Sequence, residues 1–190
     1  MCSPVLVCSS GCAVVIHAGI GGGKTSTASA IADILRDRGF SVRGILSVRL
    51  SSGVSEGYDA EDLETGEVYP LVMLTSSVES IDWETYGNPI YSFSCSGFER
   101  VNNALRVAAE KMAPGVVVFL DEYGKLELRG EGIRPGVNAV VSSLGQGGAA
   151  VVLCRSNVVP EVEALLRRAV NAVGIFEAGD VEAVVNFLVD

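Results

Sequence analysis

The chain has 190 residues, an apolar fraction of 48% and a formal net charge of -9, enough material for one domain, residues 1–190, with a sizeable core. The negative charge argues against a nonspecific grip on nucleic acid or an anionic membrane surface, which needs clustered Lys and Arg. No apolar run approaches the ~20 residues of a membrane span.

The start, Met1-Cys2-Ser3-Pro4, lacks the basic opening of a secretory signal. The five cysteines are Cys2, Cys8, Cys12, Cys95 and Cys154. Their number is odd and no CxxC pair occurs, which disfavours a disulfide framework or a zinc ribbon and points to free thiols in a cytoplasmic protein. The spacing of Cys2, Cys8 and Cys12 matches no common ligand pattern.

The first predicted strand is Ala13-Val14-Val15-Ile16. His17 follows it and reads as a structural or loop-contacting residue. Then comes Ala18-Gly19-Ile20-Gly21-Gly22-Gly23-Lys24-Thr25, a glycine-rich turn opening a helix. That is the layout of a P-loop. Glycines let backbone N–H groups converge on phosphate oxygens, and the helix N-terminus adds partial positive charge. The expected nucleotide-binding residues are Ala18, Gly19, Ile20, Gly21, Gly22, Gly23, Lys24, Thr25 and Ser26. Lys24 would reach the β- and γ-phosphates, and the Thr25 hydroxyl would ligate Mg²⁺. Ala18 stands where the strict pattern has glycine.

A helix is predicted from Lys24 to Arg38, with Ala28, Ile31, Ala32 and Leu35 on one face, and Gly39 ends it. Ser41 to Leu50 reads as a strand. An insert of approximately 51–95 follows, with turn signals at Ser51-Ser52-Gly53 and Glu64-Thr65-Gly66-Glu67. The segments Gly57–Leu63 and Val68–Leu74 read as a small hairpin or meander beside the main sheet. From Ser51 to Glu99 the chain has no Lys or Arg, so this stretch supplies no cationic pocket for a second phosphate. Trp83 and Tyr86 read as minor-core packing.

A second helix is predicted over Ser96–Met112, and a strand buried on both faces over Val116–Leu120. Asp121 ends that strand, where a carboxylate holds Mg²⁺ beside the phosphates. Glu122 is placed to polarise an attacking water. Arg129 and Arg134 sit on a glycine-rich loop that could close over a nucleotide. A helix over Gly136–Leu144, a strand over Ala149–Cys154, a helix from Pro160 to Ala172, a strand over Val173–Phe176 and a final helix capped by Asp180 complete the chain. Arg155, at the carboxyl end of its strand, is expected to sense the γ-phosphate or touch the base. Arg167 and Arg168 read as a solvated face. Strands alternate with helices, which predicts a mainly parallel sheet with helices on both faces.

Gly21-Gly22-Gly23-Lys24-Thr25, Gly57-Tyr58-Asp59, Tyr91-Ser92-Phe93 and Asp121-Glu122-x-Gly124-Lys125-x-Glu127 follow one another as in the small P-loop nucleoside-triphosphatase family, which the chain resembles from about Ala13 to Phe176. The resemblance implies an α/β, three-layer RecA-like fold and slow, Mg²⁺-dependent hydrolysis of nucleoside triphosphates, ATP or GTP first, with loose base preference. It allows Lys125 and Glu127 either to line the site or to lie on an exposed loop. Two departures are the absence of an acidic residue in Leu46-Ser47-Val48-Arg49 and of an Asn-Arg pair near Phe176–Asp180. The competing functions are a small-molecule or nucleotide kinase and a nucleotide-controlled switch or binding module. Glu122 favours hydrolysis, since a kinase acceptor needs no water-activating glutamate. The sequence names no protein partner.

Overall fold

The structure is a computed structural model that describes residues 10–50, 57–78, 81–85 and 90–189. The expected alternation is present. In chain order the elements are β1 (Cys12–Ala18), α1 (Lys24–Asp37), β2 (Ser41–Leu50), β3 (Gly57–Asp62), β4 (Val68–Leu74), β5 (Trp83–Glu84), β6 (Tyr91–Ser94) and α2 (Cys95–Glu110). They continue with β7 (Val116–Tyr123), α3 (Lys125–Leu128), α4 (Arg134–Ser143), β8 (Ala149–Arg155), α5 (Val159–Leu166), β9 (Ala172–Glu177) and α6 (Val181–Val189).

Among the described residues all strands join one sheet, in the order β5-β6-β4-β3-β2-β7-β8-β1-β9. The half from β2 to β9 is parallel, as predicted. The other half is antiparallel. The insert is thus an extension of the main sheet, because β3 pairs directly with β2 from Ile45↔Asp62 to Leu50↔Gly57. β5 and β6 were not foreseen as strands: β5 has two residues and β6 four, too few to show a period.

Helices cover both faces of the parallel half. Successive residues of β1 and β7 point to opposite sides, as a pleated strand requires. Val15, Val118 and Leu120 pack with Leu105, Val137 and Leu166 in one core. Val14, Ile16, Val117 and Phe119 pack with Ile31, Leu35 and Leu188 in the other. Strands apolar at every position are needed for this double burial. α1 buries the predicted stripe of Ala28, Ile31, Ala32 and Leu35, and Phe40 N–H closes back on Leu35 C=O at 3.0 Å. α5 stops at Leu166, short of the expected Ala172. The chain must turn there, since Ala172 already pairs with Cys12 at the start of β9.

Candidate functional site

The carboxyl ends of β1, β2, β7 and β8 converge on the turn between β1 and α1. Gly22 N–H bonds Gly19 C=O at 3.2 Å and closes the turn. Gly23, at φ 79° and ψ 14°, is left-handed, a conformation glycine adopts without steric cost, and it launches α1. Gly22 needs its missing Cβ for a different reason: one added there would meet the Ala18 Cβ at 2.7 Å. The turn is braced from behind. Thr27 donates its hydroxyl to Gly23 C=O at 2.9 Å and accepts from Gly179 N–H at 3.0 Å. Ala178 N–H bonds His17 C=O at 2.9 Å. His17 Nδ1 lies 3.1 Å from Ser156 Oγ, a loop contact of the expected kind. Gly19, Ile20, Gly21, Gly22, Gly23 and Ser26 are exposed, so the cradle is open to a ligand.

Lys24 is only 8% exposed, and its Nζ lies 3.7 Å from Glu122 Oε2. The Thr25 hydroxyl donates to Asp121 Oδ2 at 2.8 Å. The two residues expected to share a metal are therefore in contact across 96 positions of sequence. Asp121 is 2% exposed. Burial pushes its carboxyl up to about 6, against the opposing pull of Ser47 N–H and the Thr25 hydroxyl. Ser47 was missed by sequence reasoning. Its N–H donates to Asp121 Oδ2 at 2.9 Å and its hydroxyl to Asp121 C=O at 3.1 Å. It lies within the Leu46–Arg49 segment noted for lacking an acid, and a hydroxyl in that segment was the available signal.

Glu122 reaches the same spot through an irregularity in β7. On β8, Leu153 pairs with Asp121 and Cys154 with Tyr123, so Glu122 is an extra residue in the ladder. Such a bulge re-aims a side chain at a sheet edge. The Asp121–Glu122 peptide is cis. Arg155 Nε donates to Glu122 Oε1 at 3.2 Å.

In the segment after β7, Lys125 follows the exposed reading and Glu127 departs from both. Lys125 is exposed, but Glu127 is 5% exposed and bonds within its own loop instead of the glycine turn. Its carboxylate accepts from Gly124 N–H at 2.9 Å and Ile133 N–H at 3.1 Å, clamping α3 to the start of α4. Burial raises its carboxyl above the ordinary range. Arg134 is no free loop cation. It opens α4, donates to the Tyr123 hydroxyl, to Glu127 C=O at 3.2 Å and to Asn138 Oδ1 at 2.9 Å. Arg129 remains exposed. Arg167 pairs with Glu163 at 2.7 Å on the solvated face expected of it. Trp83 is half-buried, while Tyr86, Cys2 and Cys8 lie outside the described residues. Cys12 and Cys154 are buried. Among the described residues no group of three or more His, Cys, Asp or Glu is placed to hold a metal, and no helix is long and apolar enough to cross a membrane.

A sequence-family model described as NTPase matches residues 13–177. The chain belongs to this NTPase family. It is 26% identical over 124 residues to nucleoside-triphosphatase THEP1 of Pyrococcus abyssi, covering 65% of this chain and 64% of that protein, somewhat under two thirds of the relative's length. The crystal structure of THEP1 from Aquifex aeolicus superposes with a TM-score of 0.65 at 19% identity, over 93% of this chain and 98% of that one. The solution structure of a human cancer-related nucleoside triphosphatase superposes at 0.64 and 21% identity, over 92% and 93%. At these identities the likeness speaks for the fold: an α/β P-loop NTPase with a mixed sheet and helices on both sides.

Proposed function

We propose that the protein is a Mg²⁺-dependent nucleoside-triphosphate hydrolase of the cytoplasm, with loose base preference and ATP or GTP as the leading substrates. The observation that carries this reading is the meeting of Thr25, Asp121, Lys24 and Glu122 at the mouth of one glycine turn. The family membership and the THEP1 relative support the same class of reaction.

The residues fit a magnesium ion. Thr25 spends its hydroxyl hydrogen on Asp121, so the oxygen's lone pairs remain for a cation, and both donors are hard oxygens. Two protein oxygens are the usual complement when phosphates and water supply the rest. Bound there, the ion would neutralise charge developing on the phosphate oxygens.

The chain's own groups divide the remaining work. The turn's N–H groups and the α1 N-terminus bind the phosphates, and Lys24 adds a full charge from a largely buried position. Glu122 accepts a proton from water as its oxygen attacks the γ-phosphorus. The bond to the β–γ bridging oxygen breaks, and the diphosphate leaves with that electron pair. A phosphate-release assay with ATP, GTP, CTP and UTP, with and without Mg²⁺ and candidate acceptors, tests the reading. Release of phosphate to water from several triphosphates, only with the metal, is the expected result. Turnover that appears only with an acceptor would make the protein a kinase.

A further inference from the structure

Glu122 stands between two cations of different character. Its Oε2 faces Lys24 Nζ at 3.7 Å, an ion pair too long for a hydrogen bond. Its Oε1 accepts from Arg155 Nε at 3.2 Å. Among the described residues this is the hydrogen bond that Glu122 has. Arg155 is the last residue of β8 and is in register with Ala18, so it flanks the first position of the glycine turn. A triphosphate brings several negative charges into that turn. It draws Lys24 to itself and repels the Glu122 carboxylate, which is a third exposed and free to swing into water. With Lys24 drawn away, Arg155 is the side-chain cation left within hydrogen-bond distance of the carboxylate.

Resting on the hydrolase reading above, we propose that Arg155 is a positioning residue that holds Glu122 at the attacking water once Lys24 has turned to the phosphates. Its partner is the carboxylate, in place of the γ-phosphate or base that sequence position alone assigns to it. The pair is not a fold staple. With side chains 47% and 33% exposed it adds little stability.

The test is a double-mutant cycle of Arg155→Ala and Glu122→Gln, with Arg155→Lys alongside. Single-turnover rates are read beside calorimetric titration with a non-hydrolysable triphosphate. Arg155→Ala is expected to slow turnover by roughly ten- to a hundredfold, the equivalent of one charge-assisted hydrogen bond. Triphosphate affinity and melting temperature stay at the parent values. Arg155→Lys recovers part of the rate, since it keeps the charge and loses the planar Nε–H. In the Glu122→Gln background, Arg155→Ala changes nothing further. Weakened triphosphate binding in Arg155→Ala, or the same rate loss in both backgrounds, would overturn the proposal and place Arg155 on the phosphate; neither touches the hydrolase reading. A parent that releases no phosphate removes that reading, and this inference with it.

Discussion

Lys24 is the residue on which phosphate affinity should depend most. It is 8% exposed, and its partner Glu122 is one a phosphate displaces readily, at 3.7 Å. Lys24→Ala is expected to weaken binding of a non-hydrolysable triphosphate by roughly tenfold or more, the worth of a charge-assisted contact. Isothermal titration of parent and variant decides it, and equal affinities would remove the loop claim. Asp121 makes a different prediction, because its Oδ2 accepts from the Thr25 hydroxyl. Asp121→Asn keeps the shape and removes the charge that magnesium prefers, so turnover should need more Mg²⁺. A metal titration of the rate, unchanged from the parent, would place Asp121 away from the ion. Glu122→Gln separates binding from chemistry. Affinity should hold, while the single-turnover rate falls by roughly 10²–10⁴, the usual contribution of a positioned base. A rate equal to the parent's would leave the switch or kinase reading.

At the scale of elements, the strand–turn–helix from β1 to α1 is the unit proposed to hold the phosphates. Its glycines are not equivalent. Gly23 supplies a left-handed conformation, whereas Gly22 supplies room against Ala18, whose Cβ would lie 2.7 Å from an added one. Gly22→Ala should therefore distort the turn at a cost of roughly 1–3 kcal/mol, as overpacking does, and weaken triphosphate binding. Adding Ala18→Gly removes the clashing atom and should restore part of the affinity. The restoration stays partial, because Gly19 C=O sits 3.1 Å from the same Cβ position. Titration of the single and double variants checks this, and a double variant no better than Gly22→Ala would discard the steric account. The α3–α4 connection follows a different logic. Here Glu127 satisfies two backbone N–H groups from inside the turn, so an acidic residue serves the loop's architecture.

Across the whole molecule, the antiparallel half of the sheet is pinned to the parallel half by charge as well as by strand pairing. Glu64, in the β3–β4 turn, pairs with Arg43 of β2 and accepts from Lys111 at the end of α2 at 3.1 Å. Desolvation pushes the Glu64 carboxyl up, but the hydrogen bonds and charges of Lys111 and Arg43 outweigh it and hold it below the usual glutamate value. Its folded value is thus the depressed one. The stability it adds is present above the unfolded value and is lost as pH falls through the folded value. Glu64→Gln also leaves Arg43, 15% exposed, without its counter-charge. The expected loss near neutral pH is about 1–2 kcal/mol, trimmed by solvent screening, or several degrees of melting temperature. Thermal melts from pH 7 downward should show the gap between parent and variant closing in acid, below the ordinary glutamate range. A gap that persists there would mean the carboxylate charge is not what matters.

The α/β class, the glycine turn and the acids that follow a buried apolar run were legible in the sequence because each is a local matter. Backbone freedom at Gly21 to Gly23, an apolar run at Val116–Leu120 and the acid that ends it are encoded within a few consecutive residues. The periodic stripe of α1 is equally local, and it is buried as read. What escaped was decided by which strands lie side by side. Ser47 reaches Asp121 across 74 positions, and Arg155 reaches Glu122 across 33, because β2 and β8 both lie beside β7 in the sheet. Pairing of β3 with β2 likewise turned a separate hairpin into half of a mixed sheet. Glu127 became a buried clamp because the fold left two N–H groups there with no other partner. Periodicity and residue type report which face a residue presents; only the strand order reports what stands opposite it.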